Sequence, residues 1–158
     1  MPYRPFEAQN CSIAGALALL GERWTLLVMR EVLLGRRRFG DIQRHTGVAK
    51  NILSDRLETL VEHGLLERRG AEYVPTSKGL DVNPVLVALM QWGDRHVAGE
   101  AGPPRVLVHE ACGHDAHPTL RCAHCDGELD ARELRVRPGP GANDEQRGEP
   151  LLPARAGP

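Results

Sequence analysis

Residues 52–69 read ILSDRLETLVEHGLLERR, and the reading of this stretch decides the fold. Leu53, Leu57, Leu60 and Val61 recur at the three- and four-residue spacing of a helix with one apolar face. Gly64 follows as the stop. With the preceding residues the helix is predicted over 48–64. Its apolar face leaves Lys50, Asn51, Ser54 and Asp55 outward near the N-terminal half, with Arg56 at the edge of the core face. Upstream, RRRFGDIQRHTG (36–47) predicts a short helix around 41–45 that closes at Gly47. Downstream, LLERRGAEYVPT (65–76) reads as a β-hairpin, 65–68 with 72–74, turning at Gly70 and Ala71.

Short helix, glycine turn, longer amphipathic helix, basic hairpin: this is the order of a winged helix–turn–helix. In that arrangement the first helix crosses the phosphate backbone and the second enters the major groove. Asn51 and Ser54 carry groups that read base edges, and Lys50 pairs with guanine or phosphate. Arg56 suits phosphate better than bases. Arg68 and Arg69 stand where a wing touches the minor groove or backbone, and Arg37 and Arg38 precede the short helix within reach of a phosphate. Charge agrees with the assignment. Residues 36–69 carry eight basic against five acidic groups, a net of +3, while residues 98–158 carry seven against ten, a net of −3, in a chain of net −1. The plainer alternative is a helical domain whose polar faces meet only water. The basic hairpin weighs against it.

The rest of the chain surrounds this unit. At 158 residues there is room for one domain and a small appendage. No run of eighteen apolar residues is present, so no transmembrane helix is expected, and the start, MPYRPFEAQNCS, lacks a signal peptide's apolar stretch. A cytoplasmic protein without a membrane partner is expected. SIAGALALLG (12–21) predicts a helix capped by Ser12, stopped at Gly21 and buried on most sides. RWTLLVMREVLLG (23–35) places Trp24, Leu27, Val28, Val32 and Leu34 at helical spacing before Gly35. A helix from Thr76 or Ser77 meets Asn83 and Pro84, where a kink and a fresh start both fit. Val85, Leu86, Leu89, Met90, Trp92 and Val97 continue its apolar positions, and AGEAGPP (98–104) is a linker.

Residues 11 to about 97 resemble the HxlR (MarR-like) family of bacterial winged helix–turn–helix transcription regulators. The likeness rests on a cysteine just before the first helix, on LLGERWT, RRRFGDIQ and ILSDRLETLVEHGLLERR, and on the closing LMQWG. It implies a homodimer, formed through the first and last helices of this region, that binds a palindromic operator in double-stranded DNA; a repressor is the expected sign. In several such regulators the matching cysteine senses oxidants or electrophiles, which implies redox sensing for Cys11 and an oxidant or small-molecule effector. Cys11 stands near a helix's positive end, which favours a reactive thiolate, although a small unreactive residue also fits there. Two departures stand out. Only GAE separates Arg69 from Tyr73, so the wing is expected to be short, and Pro75 replaces the family's usual leucine.

A second constellation lies in HEACGHDAHPTLRCAHCDGEL (109–129). His109-x2-Cys112, nine residues, then Cys122-x2-Cys125 makes two knuckles of zinc-ligand spacing, each followed closely by glycine. Cysteines in a reducing compartment favour thiols or metal ligands over disulfides. The pattern is similar to a zinc ribbon, flanked by short strands RVLV (105–108) and ELRV (133–136). His114 and His117 compete with His109 for the fourth ligand position, and His124 points away. Four protein ligands close the site, so zinc would be structural. The tail, 138–158, is too rich in Gly, Pro and charge to order itself.

The expected fold is mainly α with a small β wing, plus a small zinc-ribbon-like β module. The domains are 1–97 for DNA binding and dimerisation, 98–104 for the linker, 105–137 for the module and 138–158 for a disordered tail. No nucleophile–base pair, phosphate loop or open metal site points to an enzyme. The competing function is a zinc-ribbon protein–protein adaptor without specific DNA binding.

Overall fold

Thr25–Leu33 is the helix around which the first part of the chain assembles. In the computed structural model, which describes residues 9–130, 132–148 and the backbone of 152–153, the chain divides into two units, Met1–Pro104 and Arg105–Pro158. The expectation of no signal peptide in 1–8, and that of disorder for 149–151 and 154–158, lie outside the described residues.

The first unit runs α1 (Ser12–Leu20), α2 (Thr25–Leu33), α3 (Phe39–Thr46), α4 (Lys50–Glu62), β1 (Leu66–Arg69), β2 (Glu72–Pro75), α5 (Ser77–Leu80) and α6 (Asn83–His96). It is mainly helical with a small antiparallel sheet, as a winged helix–turn–helix requires. Val28, Met29 and Val32 of α2 share one buried cluster with Ile42 of α3, Leu53, Leu57 and Leu60 of α4, and Leu65 and Leu66 leading into the wing. Each fully buried Leu or Ile contributes about 1.5–3 kcal/mol. These contacts set the rotation of α4 about its own axis.

Local chemistry sets the joints. Gly47 ends α3 at φ +70, and its N–H donates to the Gln43 carbonyl at 2.8 Å. Val48 is then buried, and α4 begins two residues later. Between α2 and α3, the Glu31 carboxylate, with only 4% of its side chain exposed, holds Arg30 at 2.6 Å and Arg36 at 2.8 Å. The Arg36 N–H also donates to the Glu31 carbonyl at 2.9 Å, so one acidic residue pins the connection at both backbone and side chain. In the wing, β1 and β2 pair from Leu66 opposite Pro75 to Arg69 opposite Glu72, with Gly70 at φ +60 in the two-residue turn. Arg38 bridges to Glu72, and the Tyr73 N–H donates to the Arg37 carbonyl at 2.8 Å, so the segment before α3 lies along β2.

Two expectations for this unit change, and one open alternative is decided. Cys11, not Ser12, occupies the N-cap of α1, and no side chain caps that end. Nor is α1 buried on most sides: only Ala14 is buried, and Ile13 is 71% exposed. Apolar residues surround this helix, but a single chain presents a surface to only one side of it. Asn83 and Pro84 open a fresh helix rather than a kink. Val82 is its N-cap and Pro84 sits in the first turn, where a missing N–H leaves no carbonyl unpaired. Trp92 on α6 is 56% exposed, and α6 buries no residue.

In the second unit, β3 (Val108–His109) pairs with β4 (His114–Asp115), and β5 (Arg135–Val136) with β6 (Leu152–Pro153), around α7 (Asp144–Arg147). The two strands expected to bracket the cysteines shrink to two residues each and take separate partners. The segment read as disordered carries α7 and β6, and an Asn143–Gln146 capping box closes α7. Among the described residues of this unit no side chain is buried.

Gly79 is buried, and a Cβ there would stand 2.1 Å from the Leu65 carbonyl oxygen. Gly79→Ala should therefore lower unfolding free energy by about 1–3 kcal/mol. Gly40→Ala, in open space within α3, should raise it by about 0.5–1 kcal/mol. Urea titration followed by helical circular dichroism checks both signs.

Candidate nucleic-acid interface

The outer face of α4 is built by exclusion. With Leu53, Leu57 and Leu60 held in the core, Lys50, Asn51, Ser54 and Asp55 are exposed. Ala49 is the N-cap and contributes no side-chain hydrogen bond, so the first turn of α4 keeps its N–H groups available beside Lys50 and Asn51. Among the described residues no hydrogen bond or ion pair engages the side chains of Arg37, Lys50, Asn51 or Ser54. These four are placed to meet a ligand without first giving up a partner inside the protein.

The remaining arginines of the expected set are already engaged. Arg38 pairs with Glu72 at 3.4 Å across the edge of the wing. Arg56 has only 20% of its side chain exposed; it pairs with Asp55 and reaches Glu22 at 3.8 Å, and its Nε is buried without a hydrogen-bond partner. Arg68 curls over its own turn, donating from Nε to the Gly70 carbonyl at 3.2 Å with its guanidinium 6.0 Å from the Tyr73 ring centroid. Arg69 is exposed and pairs with Glu67 on the same strand. Sequence reasoning missed Glu22 and Glu72, the acids that engage Arg56 and Arg38. Each lies far along the chain from its partner, and only the packing of α2 and the wing brings them together.

Two side chains brace the far end of this surface. The Thr76 hydroxyl donates to the Gly64 carbonyl at 2.6 Å and accepts from the Gly79 N–H at 3.1 Å. Lys78 Nζ donates to the His63 carbonyl at 2.8 Å. Both satisfy carbonyls just beyond the C-terminal end of α4, which holds the helix at a fixed inclination to the wing.

Cys11 is exposed at the N-cap of α1. The other three cysteines and His109 lie in the second unit. His109 Nδ1 stands 3.3 Å from Cys112 Sγ. The Cys122 thiol is drawn below its ordinary pKa by hydrogen bonds from the Cys125 and His124 backbone N–H groups, then by the Cys125 side chain. The His124 ring is exposed. His114 directs Nδ1 to the Cys112 carbonyl at 2.8 Å, and His117 is exposed. The expected ligands are thus brought together as two pairs; among the described residues no group of three or more His, Cys, Asp or Glu is gathered at one point.

Residues 19–101 match the family described as HxlR-like helix-turn-helix. The uncharacterised HTH-type transcriptional regulator Rv3095 of Mycobacterium tuberculosis is 45% identical over 143 residues, spanning 86% of this chain and 89% of that protein. Among solved structures, PA1607, a candidate transcription factor, superimposes with a TM-score of 0.73 at 34% identity, covering 82% of this chain and 96% of that one. The quinone-bound form of YodB from B. subtilis superimposes with a TM-score of 0.50 at 28% identity, covering 54% of this chain and 98% of that one.

Proposed function

We propose, from the premise that the chain belongs to the HxlR-like helix-turn-helix family, that it is a cytoplasmic transcriptional repressor binding a palindromic operator as a homodimer. No single helix among the described residues is long and apolar enough to cross a membrane. The observation that carries the reading is the outer face of α4, where Lys50, Asn51 and Ser54 are exposed and unengaged while the opposite face is locked into the core. Asn51 and Ser54 read base edges from the major groove. Lys50 and Arg37 contact phosphate, and Arg69 follows from the wing after releasing Glu67. Arg38, Arg56 and Arg68 act first as braces, so their loss should disturb the position of α4 and the wing more than the charge count.

The homodimer is supported by α1 and α6. Ile13 and Leu17 on one, and Val85, Leu89 and Trp92 on the other, are exposed large apolar side chains on helices that the single chain leaves uncovered. A second copy covers both by two-fold symmetry and repeats α4 at the spacing of one DNA turn, about 34 Å. Full-length protein should sediment at the mass of two chains, and Trp92→Glu should shift it to one. An unchanged sedimentation coefficient in the variant would count against this interface.

The DNA reading is tested on the duplex upstream of the protein's own gene. Asn51→Ala should weaken binding there about 5- to 150-fold and leave binding to a scrambled duplex unchanged. Arg37→Ala should weaken both alike and reduce the slope of log affinity against log salt by about 1. Equal, salt-independent affinity of the wild type for both duplexes would instead favour the protein–protein adaptor. Transcript from the upstream promoter should rise when the gene is deleted; a fall would reverse the sign of regulation.

Cys11 is the proposed sensor. An exposed thiol at the N-cap of a helix whose apolar face forms the proposed dimer seam couples modification to subunit geometry. The quinone-bound state of the relative YodB supports an electrophile as effector. The Cys11 thiolate adds to a quinone ring carbon, forming an S–C bond, and the ring takes up a proton to become the hydroquinone thioether. Benzoquinone should release the wild type from DNA and leave Cys11→Ser bound. Equal release of both would exclude Cys11.

A further inference from the structure

The two halves of 109–126 are built on the same backbone plan. In the first, the Gly113 N–H donates to the His109 carbonyl at 2.8 Å; in the second, the Asp126 N–H donates to the Cys122 carbonyl at 2.8 Å. In each, the residue immediately after the second candidate ligand is left-handed: Gly113 at φ +71 and Asp126 at φ +58. Aspartate is among the few non-glycine residues that enter that region, helped by local hydrogen bonds of its side chain. Here Arg121 grips the Asp126 carboxylate at 2.9 and 3.0 Å, and the Cys122 N–H donates to the Gly127 carbonyl at 2.8 Å. The same tight turn, built twice from unrelated residues, presents its first and fourth side chains as a pair each time.

Both pairs have the chemistry of metal ligands, and the first has their separation. Zinc bonds of about 2.0–2.1 Å to nitrogen and 2.3 Å to sulfur place two tetrahedral ligands about 3.5 Å apart. His109 Nδ1 and Cys112 Sγ stand 3.3 Å apart. In the second turn, Cys122 and Cys125 occupy the same first and fourth positions as His109 and Cys112, with the turn closed by the Asp126 N–H on the Cys122 carbonyl at 2.8 Å. A third observation is independent of both. The unit that carries these turns buries no side chain among its described residues, and Val106, Val108, Leu120 and Val136 stand exposed. A segment without a core needs another source of folding free energy.

We propose that His109, Cys112, Cys122 and Cys125 bind one zinc ion in a closed, structural site, and that the ion draws the two turns together and folds residues 105–137 around itself. The metal has no open position, so it supplies stability rather than chemistry. His114 is a brace: its Nδ1 is engaged by the Cys112 carbonyl, next to the ligand rather than at the ion. This proposal concerns the second unit and stands apart from the DNA-binding reading.

The test uses the full-length protein purified in the presence of zinc. Elemental analysis should find about one equivalent per chain, and Cys122→Ser and His109→Ala should each fall below about half, with His114→Ala unchanged. Cobalt substitution should give the charge-transfer bands of thiolate ligation with the ligand-field bands of a tetrahedral site. A thiol reagent should modify Cys11 alone until a chelator releases the other three. The helical circular dichroism signal of the first unit reports whether a variant has folded. Less than about half an equivalent in the wild type, or a full equivalent in Cys122→Ser, overturns the site. Loss in His114→Ala with retention in His109→Ala overturns the assignment of the fourth ligand.

Discussion

One buried seam governs the first unit. Val28, Met29 and Val32 of α2 belong to the same water-free cluster as Leu53, Leu57 and Leu60 of α4. A helix with three leucines locked on one side has no freedom to rotate, so Lys50, Asn51 and Ser54 are aimed outward by what the opposite face buries. Recognition chemistry here is a by-product of packing: the groups that would read DNA are the ones the core refuses. The buried Glu31, clamped by Arg30 and Arg36, extends the same constraint to α3 by fixing the connection that leads into it.

Internal acids sort the arginines around this surface. Counting charge along the chain treats all of them as equivalent. Glu22, Glu67 and Glu72 make them different, because an arginine paired inside the protein must lose that pair before it meets a phosphate. Such pairs at the surface contribute little to stability, about 0–1 kcal/mol each, but they hold side chains in defined places. Arg37, without a partner among the described residues, is available at no such cost. The two units also differ in what orders them: the first has a core of Leu, Ile, Val and Met, whereas the second relies on turns, a capping box and short ladders.

Much of the fold was legible. The helix of residues 50–62, the glycine stop of α3 and the hairpin with its turn at Gly70 all follow from period and turn chemistry, which are local properties. The N-cap of α1, the choice between kink and fresh start at Asn83 and the shortness of the strands around the cysteines were not, since caps and strand ends depend on which partner is near. Exposure of α1 was misread for a related reason. Apolar content states that a face wants cover, and not whether the same chain provides it.

By itself, then, the sequence determined the element types of the first unit, the face of α4 that enters the core, the family to which residues 19–101 belong and the two ligand-spaced pairs of the second unit. Those are matters of period, spacing and side-chain type. Only the tertiary structure decided which arginines are unpaired among the described residues, that α1 and α6 keep apolar faces uncovered, and that the turns at His109 and Cys122 share a closing hydrogen bond and a left-handed residue. Each of those depends on groups brought together from distant parts of the chain, or on dihedral angles that two unrelated tetrapeptides reach by different routes.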